Sequence, residues 1–217
     1  MAKSISLSAL LIMGAGGFGR EVAWLAEQAL GLSTSLIFLV DDAGFLSPPI
    51  NGITVQLLAE TKPTSAARYV AAVGDPAVRK RLVDRCDTAG HKSTSLVHPR
   101  AELSRYVELG EGTIICAGAI LTTNIVVGRH VQLNLSCTIG HDVEIGDFST
   151  LCPGVHISGN VVIGKGVFIG TGATIINGTS STPLIIGDGA CIAAGACVTK
   201  AVEAGALMAG VPALRKR

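Results

Sequence analysis

The sequence predicts an α/β domain of half-Rossmann (βαβ) type followed by a parallel β-helix built from hexapeptide repeats. Three observations support this: a glycine-rich turn between short apolar segments, a change of pattern near residue 96, and an aliphatic residue at every sixth position from Val97 to Ile175. A fixed short period is typical of a solenoid and fits neither the helix nor the strand period. We predict domains at 1–96 and 97–217.

Short apolar segments alternate with helical patterns in the first domain. We expect strands at 9–13, 36–40 and 69–73, helices at 20–30 and 76–89, and a last strand at 91–97. The second helix is rich in cations, which we expect on a solvated face: Arg79, Lys80, Arg81 and Arg85.

A glycine-rich turn separates the first strand from the first helix. Gly14, Gly16 and Gly19 match the G-x-G-x-x-G pattern, in which glycines let the backbone approach a phosphate at a helix N-terminus. Asp41 and Asp42 follow the second strand, where an acidic residue of a dinucleotide fold contacts the ribose. We therefore predict that this domain binds a nucleotide diphosphate; a tight turn without a ligand is the alternative. Two further glycines belong to the predicted substrate site: Gly17 and Gly74.

The six-residue period has a simple structural interpretation. Each hexad is a short strand plus a turn, and three hexads make one triangular coil of about eighteen residues. Aliphatic side chains then stack inside, while corners favour Gly, Asn and Asp. After Ile175 the next aliphatic residue in register is Ile186, so we predict an external loop at 176–184.

Composition limits the classes of partner. Lys and Arg number 17 against 16 Asp and Glu, which predicts neither nucleic acid nor an anionic membrane as a partner. No apolar run approaches the ~20 residues that span a bilayer. The six cysteines form no C-x-x-C pair, so we expect no zinc site and a cytoplasmic protein.

The hexads resemble the left-handed β-helix acyltransferases of the hexapeptide-repeat family. With G-x-G-G-x-G, Asp-Asp, a V-G-D-P turn and His-Pro before the hexads, the whole chain is similar to sugar acetyltransferases that modify nucleotide-linked amino sugars and sialic acids. The resemblance implies a homotrimer with acetyl-CoA in grooves between neighbouring helices. It favours N-acetylation of a 4-amino-4,6-dideoxy sugar, with GDP-perosamine of bacterial O-antigen synthesis first and a UDP-linked analogue next.

Acetyl transfer to an amine needs a base, and histidine is the best base near neutral pH. His141 lies two residues after a core aliphatic residue, so we expect it to point outward near a coil corner. The family's catalytic histidine falls in the same H-D-x-x-I-G-D motif, so the resemblance implies His141 as base and Asp142 as the residue that orients it. The alternative for this pair is a solvated surface. We expect His91 and His130 at the surface.

The resemblance also implies a binding track for acetyl-CoA, made largely of small residues and backbone groups. His156 is a candidate for the thioester end, although a packing role explains it as well. The pantetheine track would contain Gly159, Gly170, Ala193 and Ala194. The C-terminal segment resembles the family's G-x-P-A tail beside the adenine and phosphates, with Gly210, Pro212 and the basic residues 215–217.

Three other functions are alternatives to N-acetylation. O-acetylation of a sialic acid would use the same base, and the sequence separates the two poorly. A zinc enzyme related to carbonic anhydrases would need three converging histidines, and His130, His141 and His156 are not separated by multiples of eighteen. A non-catalytic scaffold would not need the glycine turn, Asp-Asp and His-Asp together.

Overall fold

A sheet of four parallel strands forms the centre of the N-terminal region in the computed structural model, which describes residues 7–216. The elements are β1 (Ala9–Met13), α1 (Gly17–Leu30), β2 (Ser35–Val40), β3 (Thr54–Leu57), β4 (Ala67–Ala71) and α2 (Pro76–Thr88), with 3₁₀ turns at Ala43–Phe45 and Leu58–Glu60. The order is β3–β2–β1–β4. Alternate strand residues face opposite sides, so Leu10 and Ile12 pack with α1 while Leu11 and Met13 pack with α2.

Three parallel sheets form the sides of a triangular solenoid. The first side contains β5 (Leu96–Val97), β8 (Ile114–Ile115), β11 (Gln132–Leu133), β14 (Thr150–Leu151), β17 (Phe168–Ile169), β20 (Cys191–Ile192), β22 (Leu207–Ala209) and the antiparallel β23 (Leu214–Arg215). The second contains β6 (Glu102–Leu103), β9 (Ile120–Leu121), β12 (Thr138–Ile139), β15 (His156–Ile157), β18 (Thr174–Ile175) and β21 (Cys197–Val198). The third contains β7 (Val107–Leu109), β10 (Ile125–Val127), β13 (Val143–Ile145), β16 (Val161–Ile163) and β19 (Leu184–Ile186).

The two regions share one apolar cluster. Leu96, Ile114 and Cys116 of the first side pack together with Val22 and Leu25 of α1. Burial of apolar side chains contributes roughly 1.5–3 kcal/mol each, so the N-terminal region is held firmly against the first side of the solenoid.

The corners repeat as regularly as the core. A residue with positive φ occurs at every sixth position from Gly112 to Gly172, and at six of these positions it is not glycine: Asn124, His130, Ser136, Asp142, Phe148 and Asn160. A left-handed conformation is unfavourable for residues with a side chain. Asn and Asp tolerate this conformation, so the strain falls mainly on His130, Ser136 and Phe148; Asp142 is the corner residue of the predicted catalytic pair.

Core stacking predicts a large loss of stability on truncation inside the solenoid. Ile145 is 2% exposed and packs in the continuous core. We expect Ile145→Ala to lower the free energy of unfolding by about 2–5 kcal/mol, because the rigid coils collapse only partly around the cavity. Glu144→Ala, at the neighbouring exposed position of the same strand, is the control and should change it little. Urea titration measures both, and equal effects would contradict this account of the core.

The structure corrects several expectations. The predicted strand at 91–97 is wrong in part: only Leu96–Val97 is a strand, and it belongs to the solenoid. The strand Thr54–Leu57 was not predicted, although the Asn-Gly turn before it is a strand-boundary signal. Three side chains expected in solvent are buried, because the two regions or their loops cover them: Arg79, His91 and His130. Residues 1–6 and 217 of the predicted domains lie outside the described residues.

Two buried histidines predict a dependence of stability on pH. Burial, the largest cause, lowers the pKa of His98 and of His130 below the ordinary 6.5. Below pH 6.5 the unfolded chain therefore binds protons that the folded chain does not. The free energy of unfolding is unaffected by these histidines above pH 6.5 and decreases as the pH falls below it. We expect a lower Tm at about pH 5.5 than at about pH 7.5. His130→Phe should reduce the difference; an unchanged pH dependence would contradict the assignment.

Candidate active site

The corner between β12 and β13 carries the pair His141 and Asp142. His141 Nδ1 lies 2.7 Å from Asp142 Oδ2, and the two side chains are 57% and 48% exposed. Asp142 has φ +56°, and its other carboxylate oxygen accepts a hydrogen bond of 3.0 Å from Asn124 Nδ2, one coil below. The turn therefore fixes the carboxylate, and the carboxylate fixes the imidazole.

The hydrogen bond to Asp142 determines which ring nitrogen of His141 is available to accept a proton. Hydrogen bonds from His141, the largest cause, and from Asn124 lower the pKa of Asp142. The carboxylate is therefore ionised and can only accept. His141 Nδ1 must then carry the proton, which leaves the lone pair on Nε2, directed away from Asp142. A half-exposed imidazole in this tautomer can accept a proton from a substrate.

Two of the predicted donor-binding residues lie beside this corner. A Cβ at Gly159 would lie 2.5 Å from both Cε1 and Nε2 of His141, so the glycine makes room for the ring. His156 is exposed on β15, and its Nδ1 lies 2.7 Å from Thr138 Oγ1. The coils thus bring Gly159 into contact range of the proposed base.

The other predicted donor-binding residues do not share this corner, because Gly170, Ala193, Ala194 and Gly210 all follow strands of the first side, at the corner between the first and second sides. A Cβ at Gly170 would lie 2.5 Å from the backbone nitrogen of Ala194 and 2.9 Å from the carbonyl carbon of Ala193, so close stacking of two coils explains this glycine. Gly210 and Pro212 are exposed near the C-terminus, where the peptide bond before Pro212 is cis. Stacking accounts for Gly170, Ala193 and Ala194 without any ligand.

The glycine-rich turn has two structural roles. A Cβ at Gly19 would lie 2.1 Å from the carbonyl oxygen of Gly14. A Cβ at Gly14 would lie 2.9 Å from the carbonyl oxygen of Ala72. These two glycines therefore permit close backbone packing. A Cβ at Gly16 would meet nothing within 4 Å, and one at Gly17 would meet only Arg20. The open face of the turn lies at Gly16 and Gly17, at the N-terminus of α1.

A cleft of about 410 Å³ opens beside this turn. Gly14, Gly16 and Asp41 line it, together with residues that the sequence did not single out for this site: Leu39, Phe45, Ile50, Val73 and Arg81. Phe45 is 67% exposed and presents its ring at the cleft. An exposed aromatic ring beside an acidic residue after the second strand is the signal that could have indicated a base-binding site.

The two aspartates have different roles. Asp41 lines the cleft, and its carboxylate accepts a hydrogen bond of 2.5 Å from Arg85 Nη1. Asp42 caps the following 3₁₀ turn by accepting from the backbone N–H of Gly44. Of the two, Asp41 is the one that lines the cleft.

A larger crevice of about 770 Å³ separates the start of both helices from the first side of the solenoid. Gly74 and Asp75 line it with Phe18, and Asn134 and Phe168 face them from the coils. Within the described part of the chain, the linings of the cleft and the crevice include neither His141 nor Asp142. His141 lies at the corner between the second and third sides, whereas the crevice lies against the first side, so the predicted acceptor residues and the predicted base lie on different faces of one chain.

Among residues 7–216, no group of three or more His, Cys, Asp or Glu side chains is arranged to hold a metal ion. No helix within that range has the length and apolar character needed to cross a membrane.

Comparison with known proteins defines the class. Residues 9–86 match the PglD N-terminal domain, and residues 142–177 match the bacterial transferase hexapeptide (six repeats). GDP-perosamine N-acetyltransferase of Escherichia coli O157:H7 is 34% identical in an alignment of 211 residues that covers 93% of this chain and 93% of the relative. The chain belongs to the nucleotide amino-sugar N-acetyltransferases of the hexapeptide-repeat, left-handed β-helix type. This confirms the predicted family, fold class and enzyme class.

Solved structures agree over nearly the whole chain. WeeI from Acinetobacter baumannii AYE has a TM-score of 0.90 and 34% identity, covering 95% of this chain and 99% of its own. The acetyltransferase domain of PglB from Neisseria gonorrhoeae FA1090 in complex with acetyl coenzyme A has a TM-score of 0.86 and 31% identity, covering 96% of this chain and 99% of its own. A His-to-Asn variant of perosamine N-acetyltransferase from Caulobacter crescentus, in complex with CoA and GDP-perosamine, has a TM-score of 0.86 and 25% identity, covering 99% of both chains.

Proposed function

We propose that this protein transfers the acetyl group of acetyl-CoA to the C-4 amine of a nucleotide-linked 4-amino-4,6-dideoxy sugar, with His141 as general base. The observation that carries the proposal is the 2.7 Å hydrogen bond between His141 Nδ1 and Asp142, which leaves Nε2 as the acceptor on an exposed corner. The GDP-linked sugar is favoured because two of the relatives above are named for perosamine, one with GDP-perosamine bound. The UDP-linked analogue comes next.

The reaction forms one C–N bond and breaks one C–S bond. The sugar amine attacks the thioester carbonyl, the C–N bond forms, and the carbonyl electrons move to oxygen. His141 Nε2 takes the proton that the amine loses, and Asp142 stabilises the resulting imidazolium through the Nδ1–H. When the carbonyl re-forms, the C–S bond breaks and the thiolate of CoA leaves, accepting the proton. The products are an amide and free CoA.

The donor and acceptor would approach from opposite directions. Acetyl-CoA would follow the coil edges past His156, Gly159, Gly170, Ala193 and Ala194, with its nucleotide end near Gly210 and Pro212. A relative was solved with acetyl coenzyme A and another with CoA, which supports the donor. The acceptor nucleotide would occupy the cleft, with its diphosphate on the Gly16–Gly17 face and Asp41 at the ribose or base. Its sugar would extend past Gly74 into the crevice.

A second copy of the chain would complete each site. The acceptor cleft and His141 lie on different faces of one chain, so a single chain does not bring them together. The second and third sides also expose large apolar residues, as expected of surfaces that pack in an assembly: Ile120, Val126, Ile176 and Ile185. We propose a homotrimer in which the cleft of one subunit faces His141 of its neighbour. A cytoplasmic location and a role in O-antigen synthesis stay predictions.

A thiol-release assay tests the proposal. Acetyl-CoA would be supplied with GDP-, UDP- and dTDP-linked 4-amino sugars, and each amino sugar would be paired with its 4-hydroxy analogue as a matched control. We expect turnover of one amino sugar and none of its hydroxy analogue, in the presence or absence of a chelator. Turnover of the hydroxy compound alone would establish O-acetylation instead. Loss of turnover with the chelator would support the zinc alternative.

A further inference from the structure

Arg79 of α2 is fully buried between the two regions of the chain. Its guanidinium donates to backbone carbonyls on both sides: Nη1 to Val73 at 2.7 Å, Nε to His130 at 3.0 Å and Nη2 to Phe148 at 2.5 Å. Four further contacts reach Gly74 O, Ser149 O, Gln132 Oε1 and Thr150 Oγ1. Within the described chain every oxygen that Arg79 contacts is neutral, which is unusual for a buried cation. Burial lowers the pKa of Arg79 to about 9, so it remains charged at neutral pH.

The coil residues that Arg79 contacts are themselves unusual. His130 and Phe148 occupy corner positions with φ of +52° and +60°, where other coils of the same corner have glycine. Their rings stack at 5.2 Å, and Tyr69 of β4 stacks on His130 at 6.3 Å. Bulky residues in this strained conformation cost roughly 1–3 kcal/mol each. The contacts with Arg79 and Tyr69 compensate for that cost at the two corners that face the N-terminal region.

The segment on the other side of Arg79 forms part of the proposed acceptor site. Val73 lines the nucleotide cleft, while Gly74 and Asp75 line the crevice. Thr150 Oγ1 donates to Gly74 O at 2.7 Å and accepts from Arg79. Gln132 Nε2 donates to the carbonyl oxygen of Ala71, the last residue of β4. The 71–75 segment is thus held to the outer face of the coils by a hydrogen-bond network centred on Arg79.

We propose that Arg79 is a positioning residue for acetyl transfer: through the 73–75 segment it fixes the acceptor cleft and crevice relative to the solenoid that carries His141. The inference rests on the proposed function. Arg79 itself lines neither cavity, so it acts through the lining residues to which it donates hydrogen bonds. A displacement of the acceptor by about 1 Å is enough to lower the rate about 10²-fold. Lysine cannot replace it, because a compact ammonium lacks the planar, five-donor geometry.

The test compares Arg79→Met and Arg79→Lys with Lys80→Met, which removes an exposed cation from the next position of α2. We expect both Arg79 variants to lower kcat/KM for the amino sugar by about 10²-fold, with KM for acetyl-CoA unchanged. Lys80→Met should match the wild type. A folded Arg79→Met protein with wild-type kcat and acceptor KM would overturn the inference, as would equal weakening of acceptor and acetyl-CoA kinetics.

A second variant protects the test against misfolding. Thr150→Val removes one bond to Gly74 and one to Arg79 but keeps the side-chain shape. Thr150 also lines the crevice, so the deciding measurement is the binding of GDP to the cleft, which Thr150 does not line. We expect the variant to fold and to bind GDP several-fold more weakly than the wild type; equal binding would overturn the inference. If the wild type acetylates no amino sugar, the proposed function fails. Calorimetric binding of GDP then tests Arg79 separately: weaker binding to Thr150→Val than to the wild type supports the inference, and equal binding contradicts it.

Discussion

His141→Asn should lower kcat for the amino sugar by about 10²-fold or more, while acetyl-CoA still binds. The asparagine amide can keep the hydrogen bond to Asp142, so the corner stays folded, but it cannot accept the proton from the attacking amine. Steady-state kinetics with the acceptor identified in the thiol-release assay measure the loss. Equal thermal unfolding of variant and wild type is the control for structure.

Asp142→Asn separates the orienting role from that of the base. The amide can still accept from His141 Nδ1–H, but it has no charge to stabilise the imidazolium. We therefore expect a smaller loss of kcat than with His141→Asn and little change in KM. A His141→Asn enzyme that matched the wild type would remove the general base from the account.

Mixing two inactive variants should restore activity if each site is shared between subunits. Gly16→Val would place a branched side chain on the open face of the glycine turn, where a Cβ meets nothing within 4 Å, and so obstruct the cleft. In randomly mixed trimers of Gly16→Val and His141→Asn, about a quarter of the interfaces join an intact cleft to an intact His141. We expect about a quarter of the wild-type activity after co-refolding.

Each variant refolded alone is the control for this experiment and should remain inactive. No recovery in the mixture, with mixed trimers demonstrated by mass spectrometry, would place the cleft and His141 of one site in the same subunit. That outcome would contradict the shared site but leave the chemistry of His141 intact.

The solenoid could be predicted because its physics is local and periodic. An aliphatic residue at every sixth position directly indicates the coils of a solenoid. The H-D motif falls at a corner, and the backbone there, with φ +56° at Asp142, has the same conformation as the neighbouring corners. The orientation of His141 toward solvent followed from its place two residues after a core position. These features required no knowledge of distant contacts.

The contacts between the two regions could not be predicted in this way. An arginine in a helix with several cations has the pattern of a solvated face, and Arg79 is buried only because carbonyls from two coils and from the 73–74 segment converge on it. His130 is buried for the same tertiary reason. Phe45 and Ile50 of the cleft lie in a segment whose position depends on the short strand Thr54–Leu57.

The most direct test of the central claim is to identify the bond in the product. The wild-type enzyme would be incubated with acetyl-CoA and the GDP-linked 4-amino sugar, and the product analysed by mass spectrometry and NMR before and after treatment with hydroxylamine, which cleaves esters. We predict one added acetyl group on the C-4 nitrogen that survives the treatment. An acetyl group that hydroxylamine removes, or one attached to a sugar oxygen, would contradict N-acetylation.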